Sequence, residues 1–335
     1  MIANAQELVG KLAATRVLVV GDLMLDHYVW GDATRISPEA PVPVVNVFRD
    51  TWQAGGAANV ALNLTSLAVS TSIVGVCADD DAGQRLRDIF AERGVSCDGL
   101  QYTAEAPTIR KTRVVVQRQQ ICRIDRESAP TAYALTDRER VRDACMAVDA
   151  VIISDYAKGV IDGELLDVLT KACRESGKIL AIDPKPRRRL DYVGADLMTP
   201  NRSEALELAG ITVGPHDEFP AESVCQAIWD TYRPHRLVVT LGADGMLLCE
   251  EGKIHGRLPT IAREVFDVSG AGDTVIAVLT AALATGASLI DAAQLANAAA
   301  GVVVGKFGAA CVEARELIAA IESSPAKLIS KHLLS

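Results

Sequence analysis

The chain has 335 residues, 34 Lys or Arg against 43 Asp or Glu, and a formal net charge of −9. With 49% hydrophobic and 23% charged residues it forms a core, which excludes intrinsic disorder. The acidic balance and only 4% aromatic residues argue against a polyanion-binding or base-stacking surface, so nucleic acid is not an expected partner.

Residues 1–11 lack the basic start and long apolar stretch of a signal peptide, and no uninterrupted apolar run reaches the roughly 18 residues of a membrane span. A cytoplasmic location without membrane contact is expected. The eight cysteines, Cys77, Cys97, Cys122, Cys145, Cys173, Cys225, Cys249 and Cys311, are dispersed with no C-x-x-C pair. They read as reduced core thiols, not as a zinc or disulfide framework.

Along the chain, short apolar runs rich in β-branched residues alternate with stretches of helical spacing. Residues 17–20 open the series as a strand. Residues 28–48, with Pro38, Pro41 and Pro43, break the rhythm and read as extended chain. A strand at 72–76 and a helix at 82–93 follow, then a second polar-interleaved extended segment at 108–126. Further strands are predicted at 151–153, 179–182, 197–198 and 237–239, with helices at 163–176 and 221–231. The fold class is therefore α/β, with a mostly parallel central sheet flanked by helices on both faces. One domain over 1–335 is expected, with 28–48 and 108–126 forming a small β-sheet lid. A lone small sheet with an apolar face is marginal, so a homodimer paired through the lids is expected.

The residues just after the predicted strands are Gly21-Asp22, Asp155-Tyr156, Asp183-Pro184-Lys185, Thr199-Pro200-Asn201 and Thr240-Leu241-Gly242. All emerge at the carboxyl edge of one parallel sheet, where open α/β sheets bind ligands. Singly they are turn and cap formers; five together favour a site. The acids of Gly21-Asp22-Leu23-Met24-Leu25-Asp26 would repel a pyrophosphate and suit polyol hydroxyls instead.

The strongest local motif is Asp267-Val268-Ser269-Gly270-Ala271-Gly272-Asp273-Thr274, which leads into an apolar helix ending near Gly286. Its glycines let several backbone N–H groups point at one spot at an electropositive helix N-terminus, a cradle for a phosphoryl group. Asp273 fits there as a cap or as a general base that accepts a hydroxyl proton; the glycine pair favours the base. A second motif, Ala54-Gly55-Gly56-Ala57-Ala58-Asn59, suits either a sugar or a tight strand–helix turn. Three patterns fail. Gly301 to Phe307 lacks the spacing and hydroxyl of a Walker A loop, Ser269 lacks the first glycine of a nucleophile elbow, and no G-x-G-x-x-G follows the first strand.

Gly55-Gly56-Ala57-Ala58-Asn59 and Asp267 to Asp273, with Asn201-Arg202-Ser203-Glu204 and Thr240-Leu241-Gly242-Ala243-Asp244-Gly245, resemble the ordered signatures of the ribokinase (PfkB) family of carbohydrate kinases. The resemblance covers nearly the whole chain. Val268 and Val275 stand where Thr and Phe are usual, but neither position needs a side chain for chemistry. The stretches Gly21 to Tyr28, Arg35 to Val44, Ser154 to Gly159 and Asp183-Pro184-Lys185 look like the branch that phosphorylates D-glycero-β-D-manno-heptose 7-phosphate. The five histidines form no H-x-G-H, so the resemblance implies the kinase without an adenylyltransferase domain.

The resemblance implies ATP and Mg²⁺ as cofactors, a small phosphosugar as substrate, phosphorylation of O1, and a place in ADP-heptose supply for lipopolysaccharide core. Asp273 would be the base, with the amides of Gly270, Ala271 and Gly272 as anion hole. Asn201, Arg202, Ser203, Glu204, Thr240, Gly242, Gly245 and Asn297 would bind the nucleotide, with the 305–308 stretch near the adenine, and Glu204 would organise hydrated Mg²⁺. Asn201 and Glu204 also fit a capping pair. Asp26, Gly55, Gly56, Asn59, Arg113, Lys158 and Lys185 would bind the sugar. Arg35, Arg110, Lys111, Arg118 and Arg123 of the lid join Arg113 as candidates for the 7-phosphate; Arg187 to Arg189 read as a loop charge cluster.

Overall fold

A strand that is apolar on both faces must be covered on both, and β1 (Arg16–Gly21) shows how: Val17 and Val19 enter one core, Leu18 and Val20 the other. The computed structural model describes residues 5–117, 119–214, 217–262, 265–323 and 329–330. The chain runs α1 (Ala5–Leu12), β1, β2 (Leu23–Ile36), β3 (Pro43–Gly56), α2 (Ala57–Ser66), β4 (Ser70–Ala78), α3 (Asp81–Arg93), β5 (Ser96–Thr103), β6 (Arg110–Val116) and β7 (Gln119–Arg126). It continues through α4 (Arg138–Met146), β8 (Ala150–Ser154), α5 (Gly163–Ser176), β9 (Ile179–Asp183), β10 (Leu197–Met198), α6 (Arg202–Ala209), α7 (Ala221–Tyr232) and β11 (Arg236–Thr240). The last elements are β12 (Met246–Glu250), β13 (Lys253–Leu258), α8 (Ala271–Ala284), α9 (Leu289–Val303), α10 (Ala314–Ser323) and β14 (Ile329–Ser330).

Ten strands form the main sheet in the order β14-β13-β12-β11-β10-β9-β8-β1-β4-β5. From β11 to β5 all neighbours are parallel, while β12, β13 and β14 add an antiparallel edge that the sequence reading did not contain. Helices α1, α2, α3, α8, α9 and α10 cover one face; α4, α5, α6 and α7 cover the other. Strand order reverses at β1, the kind of switch point where α/β sheets bind ligands.

The second sheet, β3-β2-β6-β7, is reached from β1 through one residue, Asp22. It is longer than the segments expected for it. The β2–β3 ladder pairs continuously down to Leu23↔Gly56, so Asp26 and the glycine pair belong to this hairpin. Leu23 and Leu25 hide the alternation by turning into the main core.

Asp22 is fully buried and joins three segments. Its N–H donates to the Ser154 carbonyl (3.3 Å) and its carbonyl accepts from Ala57 N (3.1 Å). Its carboxylate accepts from the amides of Tyr156 (2.8 Å), Lys158 (3.0 Å) and Val160 (3.0 Å). The expectation that this acid meets polyol hydroxyls is thereby corrected: backbone amides engage it, at a depth that only an internal partner reaches.

The cysteines need a second correction. Cys225 of α7 and Cys249 of β12 are bonded to each other, their Cα atoms 7.0 Å apart, because α7 folds against this antiparallel edge, a contact that spacing does not reveal. Six are free, and Cys122 is exposed on β7 instead of buried.

Replacing Asp22 by Ala strands three amides, one buried and two part-buried, each costing about 1–3 kcal/mol where water does not reach it. We expect Asp22→Ala to lower Tm by about 5 °C or more; calorimetry showing an unchanged Tm contradicts this role.

Candidate active site

Helix α8 begins where the chain can turn: Gly270 takes φ 79° as its N-cap, and a Cβ there would stand 2.6 Å from Asn59 Nδ2. Asp267 fixes the approach, accepting from Ser269 N (2.9 Å) and from Gly308 N (3.0 Å) on the loop after α9. From Asp273 to Leu283 the helix is buried, so its N-terminus cannot shift without disturbing the core.

Asp273 sits in the first turn, 4% exposed. Tyr156 Oη donates to its Oδ1 (2.6 Å) and Asn59 Nδ2 to its Oδ2 (2.7 Å). Burial pushes its pKa up to about 6, against the pull of these two donors; Asp26 adds to the rise and Lys111 opposes it. A carboxylate so placed is ionised at neutral pH yet has real affinity for a proton, as a general base needs.

Of the four amides at this terminus, Ala271 N donates to the Val268 carbonyl (3.2 Å), which removes it from the expected anion hole. The amides of Gly270, Gly272 and Asp273 have no acceptor among the described residues. Space is open above Gly272, where a Cβ would meet no atom within 4 Å.

Asn59, expected at the sugar, is instead fully buried and donates to Asp273. Thr274 Oγ1 donates to Asn63 Oδ1 (2.8 Å), Asn63 Nδ2 lies 3.0 Å from the Asn59 carbonyl and 3.4 Å from Asn59 Oδ1, and Asn59 passes the chain on to Asp273. Both polar ends of its amide are occupied by protein.

The second sheet supplies the facing wall. Arg113 Nη1 donates to Asp26 Oδ1 (2.6 Å), and a Cβ on Gly55 would fall 2.8 Å from Asp26 Oδ2, so glycine is needed beneath this pair. Gly56 adopts φ 60° as the chain turns into α2. Lys111 Nζ lies 3.2 Å from Met24 Sδ and 5.9 Å from the Tyr156 ring centre. Burial holds its pKa below the usual lysine range, and it has no ion-pair partner among the described residues.

Other expected cations are committed elsewhere. Lys158 pairs with Glu127 (2.6 Å), and Arg123 with Asp125 (2.8 Å). Arg35 is exposed near the tip of β2. Arg110 lines a separate cavity of about 260 Å³ with Asp80, Thr108 and Arg126. Arg118 lies outside the described residues. Arg188 is only half exposed, with one guanidinium nitrogen buried, and it bears electrostatically on Asp22 and Asp155, so the 187–189 run is not simply a solvated cluster.

On the other side, Asn201 caps α6 through Ser203 N and Glu204 N (both 3.0 Å), and Glu204 Oε2 returns to Asn201 N (3.0 Å). Lys185 Nζ donates to Glu204 Oε1 (2.8 Å). Arg202 lies 3.4 Å from Asp244, and Ser203 Oγ donates to Asn201 Oδ1 (2.7 Å). Thr240 meets Asn201 in an isolated parallel bridge, so the ends of β10 and β11 adjoin. Gly242 (φ 62°) is open above, whereas a side chain on Gly245 (φ 84°) would strike the Leu258–Thr260 backbone. Asn297 is buried and gives Nδ2 to the Pro259 carbonyl (2.8 Å), bracing that backbone from behind.

Two residues gain a place that the sequence reading did not give them. Tyr156 appeared as a strand-end residue and within the Ser154 to Gly159 stretch of the resemblance, without a role of its own. Asp183, at the end of β9, has its pKa driven well up by burial and then by Glu204 and Asp273, with Lys185 opposing. Their signal is position: both lie at the carboxyl edge next to the switch point.

The sequence profile described as pfkB family carbohydrate kinase matches residues 14–315. A protein of Desulfatibacillum aliphaticivorans named "Bifunctional protein HldE" is 43% identical over 320 residues, covering 95% of this chain and 65% of its own length. A protein of the same name from Magnetococcus marinus is 45% identical over 316 residues, covering 91% of this chain and 63% of its own. The chain thus spans less than two thirds of these relatives. Among solved structures, the fold is similar to Arabidopsis thaliana ribokinase complexed with ribose and ATP (TM-score 0.73, 22% identity, 92% of this chain and 99% of that one). It is also similar to Escherichia coli phosphofructokinase-2 in complex with substrates and products (TM-score 0.72, 18% identity, 92% and 99%). The fold is ribokinase-like.

Gly270 and Gly272 should respond differently to alanine. Gly270→Ala forces a side chain into left-handed backbone, costing about 1 kcal/mol, and displaces Asn59 from Asp273. We expect a Tm several degrees lower. Gly272→Ala adds a better helix former where nothing obstructs it, so its Tm should equal or exceed that of the parent in thermal unfolding. The reverse order would contradict the geometry.

Proposed function

Because the chain belongs to the pfkB family of carbohydrate kinases, we propose that it transfers the γ-phosphoryl group of ATP to O1 of D-glycero-β-D-manno-heptose 7-phosphate, releasing ADP and the 1,7-bisphosphate. The observation that carries the reading is Asp273, buried at an open helix N-terminus with its pKa near the operating range. The motifs shared with heptose kinases, and similarity over 95% of the chain to proteins named bifunctional HldE, support the choice of sugar. On this reading the product enters ADP-heptose and lipopolysaccharide core synthesis.

Asp273 accepts the proton of the O1 hydroxyl as the O1–Pγ bond forms and the bond from Pγ to the leaving ADP oxygen breaks. The amides of Gly270, Gly272 and Asp273 receive the equatorial oxygens of the transferring group. Asp26, Gly55 and Gly56 border the sugar. Lys111, which has no ion-pair partner among the described residues, faces its anionic end together with Arg113. The turn from Thr240 to Gly245 and the start of α6 form the nucleotide side, with Asn297 supporting it.

The donor set suits a hydrated Mg²⁺. Burial, and then Glu204 and Asp273, raise the proton affinity of Asp183, with Lys185 as the local counter-charge. Among the described residues no cluster of three or more ligating side chains could hold a metal directly, so coordination by water and phosphate is the fitting mode. Glu204 and Asp183 would hold it through its waters, and the ion would neutralise phosphate charge.

The second sheet serves as lid and dimer surface on this reading. Ile36, Val42, Val47, Phe48, Ile121 and Ile124 are exposed on it. A second copy of the chain, presenting the same apolar face, is the fitting cover. Light scattering should give a dimer that Phe48→Lys with Ile124→Lys converts to monomer; a monomeric parent contradicts this.

ADP release with Mg-ATP should occur with the heptose 7-phosphate and not with ribose or fructose 6-phosphate. Asp273→Asn should lower kcat by about 100-fold or more. Turnover confined to another sugar would keep the kinase and discard the heptose; full activity in Asp273→Asn would discard the base.

A further inference from the structure

We propose that Tyr156 is a positioning residue that keeps the Asp273 carboxylate ionised and turned toward the acceptor hydroxyl, an inference that rests on Asp273 being the base. Each oxygen of that carboxylate has one donor, from a different part of the fold: Tyr156 Oη on Oδ1 at 2.6 Å and Asn59 Nδ2 on Oδ2 at 2.7 Å. Two donors on opposite oxygens fix the plane of the group. Each oxygen keeps a second lone pair, so an incoming hydroxyl finds an acceptor already aimed.

Neither donor is free to turn away. Tyr156 follows β8, and its backbone N–H is held by Asp22 Oδ2 (2.8 Å), with Lys158 and Val160 on the same carboxylate. Asn59 is held through Asn63 and Thr274.

The charged and titratable groups facing Asp273 come from several elements. Asp26 of β2 raises its proton affinity and Lys111 of β6 lowers it. Asp183 of β9 and Cys311, before α10, also feel its charge. Against this mixed field, removal of one neutral donor acts in one direction: the carboxylate loses stabilisation and protonates at higher pH. The phenol is only a donor here, because burial and Asp273 hold its pKa well above the ordinary tyrosine value.

The test is a carboxyl ¹³C NMR titration of chain labelled at aspartate, with the Asp273 resonance identified by its loss in Asp273→Asn. In the parent it should titrate near pH 6. In Tyr156→Phe it should titrate about one unit higher, since a hydrogen bond to a charged group is worth about that much. The acid limb of kcat/KM should move with it. A titration within about 0.3 unit of the parent overturns the proposal, whatever the loss in kcat, since a merely structural tyrosine would lower the rate without moving the limb. If Tyr156→Phe does not fold, fluorotyrosine placed at 156 strengthens the donor without changing its shape. The titration should then fall below that of the parent, and an unmoved one overturns the proposal. Asp273→Asn with undiminished ADP release would refute the base while leaving the NMR result intact, so the two failures are distinct.

Discussion

Everything in the site hangs from the burial of one carboxylate, that of Asp22. It is the single residue between the first strand of the main sheet and the first strand of the second sheet. Every hydrogen-bonding group it carries is engaged: amide to Ser154, carbonyl to Ala57, side chain to three amides after β8. An acid at full burial is costly unless its oxygens are satisfied, so the loop from Tyr156 to Val160 has one low-energy arrangement. That arrangement aims the Tyr156 hydroxyl at Asp273.

Asp22 and Asp273 are both buried acids, with opposite uses of burial. The oxygens of Asp22 face backbone N–H groups on one rigid loop, and it serves as structure. Burial raises the proton affinity of both, but the oxygens of Asp273 face two side-chain donors beside an open helix terminus, from which a proton can reach them. The number and kind of donors, more than depth, separates the two roles.

The architecture was legible because parallel strands announce themselves as apolar runs: residues 17–20, 72–76, 151–153 and 179–182 all lie in strands of the main sheet. The 267–274 motif was legible because glycines before an apolar helix have few other reasons to be there. What stayed hidden depended on contacts between segments far apart in sequence. Tyr156 and Asp273 are 117 residues apart, and nothing local to either shows the contact. Asn59 was read correctly as a helix-start amide but aimed at the wrong neighbour, because only packing of α2 against α8 turns it inward. The antiparallel edge beyond β11, and with it the Cys225–Cys249 pair, escaped because its short strands share the composition of the parallel ones.

Asp273 and its two donors ride on α8, α2 and the β8 loop, all seated on the main sheet, whereas Asp26 and Lys111, which push its proton affinity in opposite senses, ride on the second sheet. The site therefore has two frames of reference, one fixing where the carboxylate points and the other how strongly it holds a proton. A rotation of the small sheet relative to the main one would alter the second property and leave the first untouched. On the reading of Asp273 as the base and that sheet as the lid, basicity would then track enclosure without the carboxylate having to move.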